Sequence, residues 1–156
     1  MGIVQVREYF RKYNLEDRIM EFEESSATVE LAAHAAGCEP ARIAKTLSFK
    51  VEDKPVLIVA AGDAKVDNGK YKVFFHTKAK MLTKEEAVEL IGHAVGGVCP
   101  FAVKDGVSVY LDVSMKRFET VFPAAGSSNS AIELNMEELE KYSGSLGWID
   151  VCKNWE

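Results

Sequence analysis

The sequence predicts an α+β domain built on a largely antiparallel or mixed sheet. Three observations carry this. Apolar runs follow one another as in a hairpin, helical periodicities flank them, and no regular β-α-β alternation appears. The chain has 156 residues, 47% of them apolar and 28% charged, which matches one domain with an ordinary core. No internal repeat and no long Pro/Gly/Ser linker divides it, so residues 1–156 are read as a single domain.

The elements follow in order. Val6, Phe10 and Tyr13 recur at i, i+4, i+7 and predict an amphipathic helix over residues 3–13. Ile19 to Phe22 reads as a short strand. Thr28 can cap a helix through Ala36, with Gly37 as its stop, and Pro40 suits the first turn of a brief helix. Ile43–Val51 and Val56–Ala61 are apolar runs joined by Glu52-Asp53-Lys54-Pro55, a hairpin turn. Asp67 to His76 is ambiguous: Asn68-Gly69 resembles a turn, while Tyr71, Phe74 and Phe75 suit a helical face. Thr83 with Glu86 is a capping box for a helix that Gly92 ends. Gly96-Gly97-Val98-Cys99-Pro100 breaks the periodicity as a loop. Val107 to Val113 alternates as a half-buried strand, with Asp112 on the opposite, solvated face. Glu119–Pro123 and Ala131–Leu134 read as further strands. Asn135 with Glu138 caps a last helix ending near Tyr142 to Gly144, and Trp148–Val151 is a final strand.

Charge and motif content exclude several functions. The 19 basic and 24 acidic side chains give a net charge of −5, which argues against coating duplex nucleic acid, DNA included, though not against gripping a short nucleic-acid end. No apolar stretch approaches the roughly 20 residues that span a bilayer, and Met1 to Tyr13 is too charged for a signal peptide. The expectation is a cytoplasmic protein with no membrane partner. Cys38, Cys99 and Cys152 form no C-x-x-C pair, and His34, His76 and His93 are at least 17 residues apart, so neither a metal site nor a disulfide framework is expected. No Walker loop, dinucleotide fingerprint or G-x-S-x-G elbow occurs, so a cofactor is not expected either.

Three features remain. Lys45 shares a strand face with Ile43, Leu47 and Phe49, the face expected to be buried. An inward lysine either meets an anionic or carbonyl ligand at a cleft or snorkels to water from an edge strand. Gly96 to Pro100 is either an ordinary turn or a loop whose backbone N–H groups approach a ligand closely. On the second reading, Gly97→Val cuts turnover with little loss of stability, and Cys99, lacking a base, is not a nucleophile. Gly126 to Ser130 is a polar loop that a hairpin turn with local caps would also explain.

Together, Pro40-Ala41-Arg42-Ile43-Ala44-Lys45-Thr46-Leu47, Ala61-Gly62-Asp63-Ala64-Lys65-Val66-Asp67 and Gly96-Gly97-Val98-Cys99-Pro100-Phe101 resemble motifs of the YbaK/EbsC family. That family comprises free-standing relatives of the editing domain of bacterial prolyl-tRNA synthetases. The resemblance spans roughly residues 20 to 145. It implies a curved, barrel-like mixed sheet flanked by helices. It also implies hydrolysis of a mischarged aminoacyl-tRNA, without metal or covalent nucleophile, with only the tRNA acceptor end gripped. On this resemblance Lys45 is the catalytic residue, and Thr46, Gly96, Gly97, Val98, Cys99, Pro100, Ser128 and Asn129 bind substrate. Where some members carry an aspartate before the final strand, this chain has Ala131, which places it in another branch. The alternative is a non-catalytic tRNA- or ligand-binding regulator of the same fold.

Overall fold

Helix α1, Gly2–Arg11, buries Val6 and Phe10, the two turns of apolar periodicity that the sequence displays. The computed structural model describes residues 2–94 and 96–155. Strand β1, Ile19–Glu21, follows, and then helix α2, Val29–Ala36. Thr28 caps α2 by accepting from Leu31 N at 3.2 Å, and Gly37 ends it with φ of 71°.

The centre of the domain is the hairpin of β2, Ile43–Val51, and β3, Lys54–Ala61. Its turn is tighter than the four residues expected. Glu52 and Asp53 both take left-handed φ, 50° and 66°, the two-residue solution that matches strand twist. Pro55 therefore lies inside β3, opposite Lys50. It is tolerated because Lys50 N donates instead to Lys80 O, 2.8 Å away on the far edge. The Lys50–Pro55 pair is thus a non-hydrogen-bonded one, and the missing N–H breaks no ladder bond.

The ambiguous stretch resolves as β4, Lys65–Val66, and helix α3, Asn68–Phe75. Asp67 decides it by capping Lys70 N at 3.0 Å, and the fully buried Tyr71 anchors the helix against Phe49 of β2 while its ring also meets Phe75 one turn on in the same helix. Helix α4, Lys84–Glu86, opens with the expected Thr83–Glu86 capping box and widens into a π turn over Ala87–Ile91 before Gly92 stops it. Strand β5 is Ser108–Asp112, β6 is Thr120–Pro123, β7 is Ser130–Ile132 and β8 is Leu134–Asn135. Helix α5, Met136–Ser143, carries the Asn135–Glu138 box. The last predicted strand, Trp148–Val151, is shorter than expected, β9 at Trp148–Ile149, and a further strand, β10 at Cys152–Lys153, follows it.

The main sheet runs β8-β6-β2-β3-β5-β9 and is mixed: β2 and β3 are antiparallel, while β6 joins β2, and β5 joins β3, in parallel. It curves as a half-barrel with helices packed against it, so the predicted class holds. β3 is buried along Val56–Ala61 and forms the core's axis with Leu111, Val121, Ile132 and Leu139. Asp112 corrects the reading of β5. It is fully buried rather than solvated. Its carboxylate accepts from Ser114 N at 3.0 Å and Val151 N at 2.9 Å, and Ser114 Oγ in turn accepts from Ala61 N at 3.1 Å. A buried carboxylate needs such donors, and these tie β3, β5 and the C-terminal segment together.

Candidate functional site

A cleft of about 460 Å³ opens along one edge of β2. Its origin is a gap in strand pairing. At its start, β2 pairs with β6 only through Ile43–Phe122 and Ala44–Pro123. At its end, Phe49 bridges Met81, with Leu82 N donating to Ser48 O at 3.1 Å. Between the two, the edge at Thr46 has no strand neighbour among the described residues. Ser48 and Lys50 direct their main-chain groups to this edge, so by strand alternation Thr46 does too. The cleft therefore meets an unpaired N–H and C=O at its middle. Thr46 Oγ1 is also buried without a hydrogen-bond partner.

The floor and walls are apolar with hydroxyls set among them. Ala27, Val29, Ala32, Ile43, Leu47, Met81, Leu82, Val98, Phe122, Ala124 and Ala131 line it beside Ser26, Thr28, Thr46, Ser48 and Ser130. Its two charged lining groups among the described residues are Lys45 and Lys84. Lys45 is half-buried. Its ammonium donates to Ala64 O, and to Gly62 O at 3.5 Å. Burial lowers its pKa below the usual lysine range, and the nearby Asp63 carboxylate opposes part of that shift.

The segment that holds Lys45 is itself held. Gly62 is glycine for packing: a β-carbon there would lie 2.0 Å from Pro40 O and 2.8 Å from Val29 Cγ1. Asp63 forms a two-pronged pair with Arg117, at 2.6 and 3.0 Å, and the guanidinium holds its carboxyl below the ordinary range. Arg117 also donates to Ser114 O and Trp155 O. The carbonyls facing Lys45 thus sit in a loop braced by the C-terminal segment.

The structure brings part of the expected set together. Lys45, Thr46, Gly96 and Val98 line the cleft, and Gly96 takes φ of 99°, a conformation that favours glycine. Gly97, Cys99, Pro100, Ser128 and Asn129 are not among its lining residues. Gly97 is buried against the neighbouring loop, where a β-carbon would lie 2.7 Å from the Ser127 backbone, so packing by itself requires glycine there. Asn129 pins the chain after β1: its Nδ2 donates to Phe22 O at 2.9 Å, and its own O accepts from Phe22 N at 2.8 Å. Ser128 O accepts from Ser26 N at 2.6 Å, which holds a cleft wall in place without facing the cleft.

Cys99 is sealed off, and burial pushes its thiol up to about 12. The fold does bring His93 to 3.6 Å from its sulfur, a pairing the sequence did not reveal. It makes no catalytic dyad. His93 Nε2 lies 2.8 Å from Phe101 O, and a carbonyl only accepts, so Nε2 carries the proton and cannot take one from the thiol. Burial also lowers the pKa of this imidazole.

Ser26, Thr28, Ser48, Met81, Phe122 and Ser130 were missed as lining residues. The one signal within reach was alternation in β2, which puts Ser48 two residues from Thr46. The rest come from four other parts of the chain.

The family profile for the aminoacyl-tRNA editing domain matches residues 23–142, and the chain belongs to that family. It is 56% identical, over its full length and that of the relative, to the uncharacterized protein YwhH of Bacillus subtilis (strain 168). It is 28% identical to proline–tRNA ligase of Bacillus pumilus (strain SAFR-032) over 103 residues, which are 65% of this chain and 18% of the ligase. Its fold is similar to a solved structure described as a candidate trans-editing enzyme for prolyl tRNA synthetase, with a TM-score of 0.87, 26% identity and 97% of each chain covered. The kinship with prolyl-tRNA synthetase editing regions, expected from the motifs, is thereby established. Among the described residues no helix is long and apolar enough to cross a membrane.

Proposed function

We propose that the protein is an aminoacyl-tRNA deacylase that acts in trans on a mischarged tRNA. The observation that carries this is Lys45, a half-buried cation on the wall of an apolar, hydroxyl-dotted cleft beside the unpaired edge of β2. In an editing-domain family member, that arrangement suits an amino-acid side chain, an ester carbonyl and a terminal phosphate at once. The cleft takes a small or medium amino acid, with alanine, serine and proline-sized groups first. Lys45 holds the phosphate or the carbonyl oxygen, where negative charge develops. The Thr46 N–H and hydroxyl and the Gly96–Val98 wall orient the acyl group. Water adds to the carbonyl carbon, the bond to the ribose oxygen breaks, and the vicinal ribose hydroxyl relays the proton. The chemistry uses neither metal nor covalent nucleophile, and takes place in the cytoplasm.

One observation favours a second reading, a non-catalytic binder: no carboxylate or histidine lines the cleft among the described residues to act as general base. A panel of mischarged tRNAs separates the two. Release of amino acid from at least one, without added metal and lost in Lys45→Ala, supports the deacylase. Intact tRNA binding with no release across the panel supports the binder.

A further inference from the structure

The chain's charge is unevenly placed. Lys65 to Lys84 holds six lysines and one aspartate, a net +5 in a chain whose total is −5, so the other 136 residues carry −10. Two of the cations nearby are committed to partners: Lys70 to Asp150 at 3.0 Å, and Lys50 to Glu86. Lys72, Lys78 and Lys80 are exposed and form no ion pair among the described residues. Surface lysines without local partners are a footprint for a polyanion.

Their placement adds direction. Lys72 and Lys78 share a hollow of about 390 Å³ with Asn68, Gly69 and Ala79. Lys80 is held by its own backbone, since its carbonyl accepts from Lys50 N at 2.8 Å. In an extended segment, Lys78 and Lys80 lie about 6.7 Å apart on one side. The next two residues, Met81 and Leu82, line the cleft, so the lysines run from its rim outward. A second segment that reaches the cleft is acidic. Glu21 to Glu30 contains four glutamates and no basic residue, and Ala27 to Val29 within it line the cleft. A polyanion entering the cleft is therefore attracted along the lysine segment and repelled along the glutamate one.

We propose that Lys72, Lys78 and Lys80 form the docking surface for the phosphate backbone of the tRNA acceptor stem whose 3′ end enters the cleft. This rests on the deacylase reading for the identity of the RNA, but not for its binding. Phosphate contacts of this kind position a nucleic acid without reading its sequence.

The test is binding of an uncharged tRNA, followed by fluorescence anisotropy at several salt concentrations. The proteins are wild type, the triple variant Lys72→Glu/Lys78→Glu/Lys80→Glu, the same triple to Gln, and a control, Lys12→Glu/Lys54→Glu/Lys104→Glu, with an equal charge change elsewhere. The strip reversal should weaken binding at least tenfold more than the control. The Gln triple should fall between wild type and the reversal and lower the slope of log affinity against log salt by about 2–3. Equal effects of strip and control overturn the proposal, as does an unchanged salt slope. Hydrolysis of an aminoacyl-adenosine ester keeps the two readings apart. If wild type cleaves neither this ester nor charged tRNA while binding depends on the strip, the deacylase reading falls and the docking surface stands. If wild type and the strip variant cleave the ester equally while binding ignores the strip, the docking surface falls alone.

Discussion

Lys45 and Cys99 are both ionisable side chains displaced by burial, and they do opposite jobs. Lys45 stands on the cleft wall, its ammonium aimed at two carbonyls that a braced loop holds in place. Cys99, in the Gly96–Pro100 loop, turns into the core with no exposed surface, beside an imidazole whose near nitrogen already carries a proton. Nucleophile-and-histidine proximity is a stronger chemical signature than a lone lysine. Access and proton direction nevertheless reverse the order: a group that no substrate reaches, facing a donor, is packing. The pair also differs in what surrounds it. Around Lys45 a strand edge is left unpaired, whereas Cys99 belongs to the buried core cluster that also holds Phe10 and Phe101, packed edge to face.

The sharpest way to break this comparison is Lys45→Ala. Deacylation should fall about a hundredfold or more, the scale of losing one aligned charge-stabilising donor. The melting temperature should stay within a few degrees, because a half-buried cation adds little to packing. Near-wild-type turnover would remove Lys45 from the site.

Gly97→Val probes the sealed side. Its β-carbon meets backbone at 2.7 Å, so the expected loss is about 1–3 kcal/mol of stability. In a chain of this size that is roughly 2–4 °C in Tm per kcal/mol. A variant with unchanged Tm and collapsed turnover would return Gly97 to the ligand side.

Alkaline titration separates the two groups by sign. The folded pKa of Cys99 is raised, to about 12, and so is that of Cys152. Their contribution to stability is whole below the ordinary thiol range and is lost as pH rises toward 12. Lys45 runs the other way. Its folded pKa is lowered, so the unfolded chain binds more protons just below the usual lysine pKa, and stability gained there rises with pH. Denaturant melts from pH 8 to 11 should therefore fall less steeply for Cys99→Ala than for wild type, and should lose their small upward component in Lys45→Ala.

The smallest effect is expected for Cys99→Ser, which should keep most of its activity. Native protein should expose Cys38 alone to a thiol reagent at neutral pH, all three cysteines reacting only after denaturation. A trapped thioester on Cys99 would overturn the whole contrast.

Much of the architecture was legible because its signals are local. Thr28, the Thr83–Glu86 and Asn135–Glu138 boxes, and the glycine stops at Gly37, Gly92 and Gly144 act within one or two turns of chain, so contiguous residues determine them. The β2–β3 hairpin is likewise local, and with it the placement of Lys45 and Thr46. Which glycine of Gly96-Gly97 meets the cleft was not legible, because it depends on a backbone thirty residues away at Ser127. The burial of Asp112 was hidden for the same reason: its period-two position looked outward until Val151, thirty-nine residues on, supplied a donor. The cleft itself exists because β6 leaves β2 after two pairs and Lys80–Leu82 joins it from the other end. Caps and turns are set by neighbours in sequence. A gap in a sheet is set by how distant strands share the burial of one core, and that choice belongs to the tertiary structure alone.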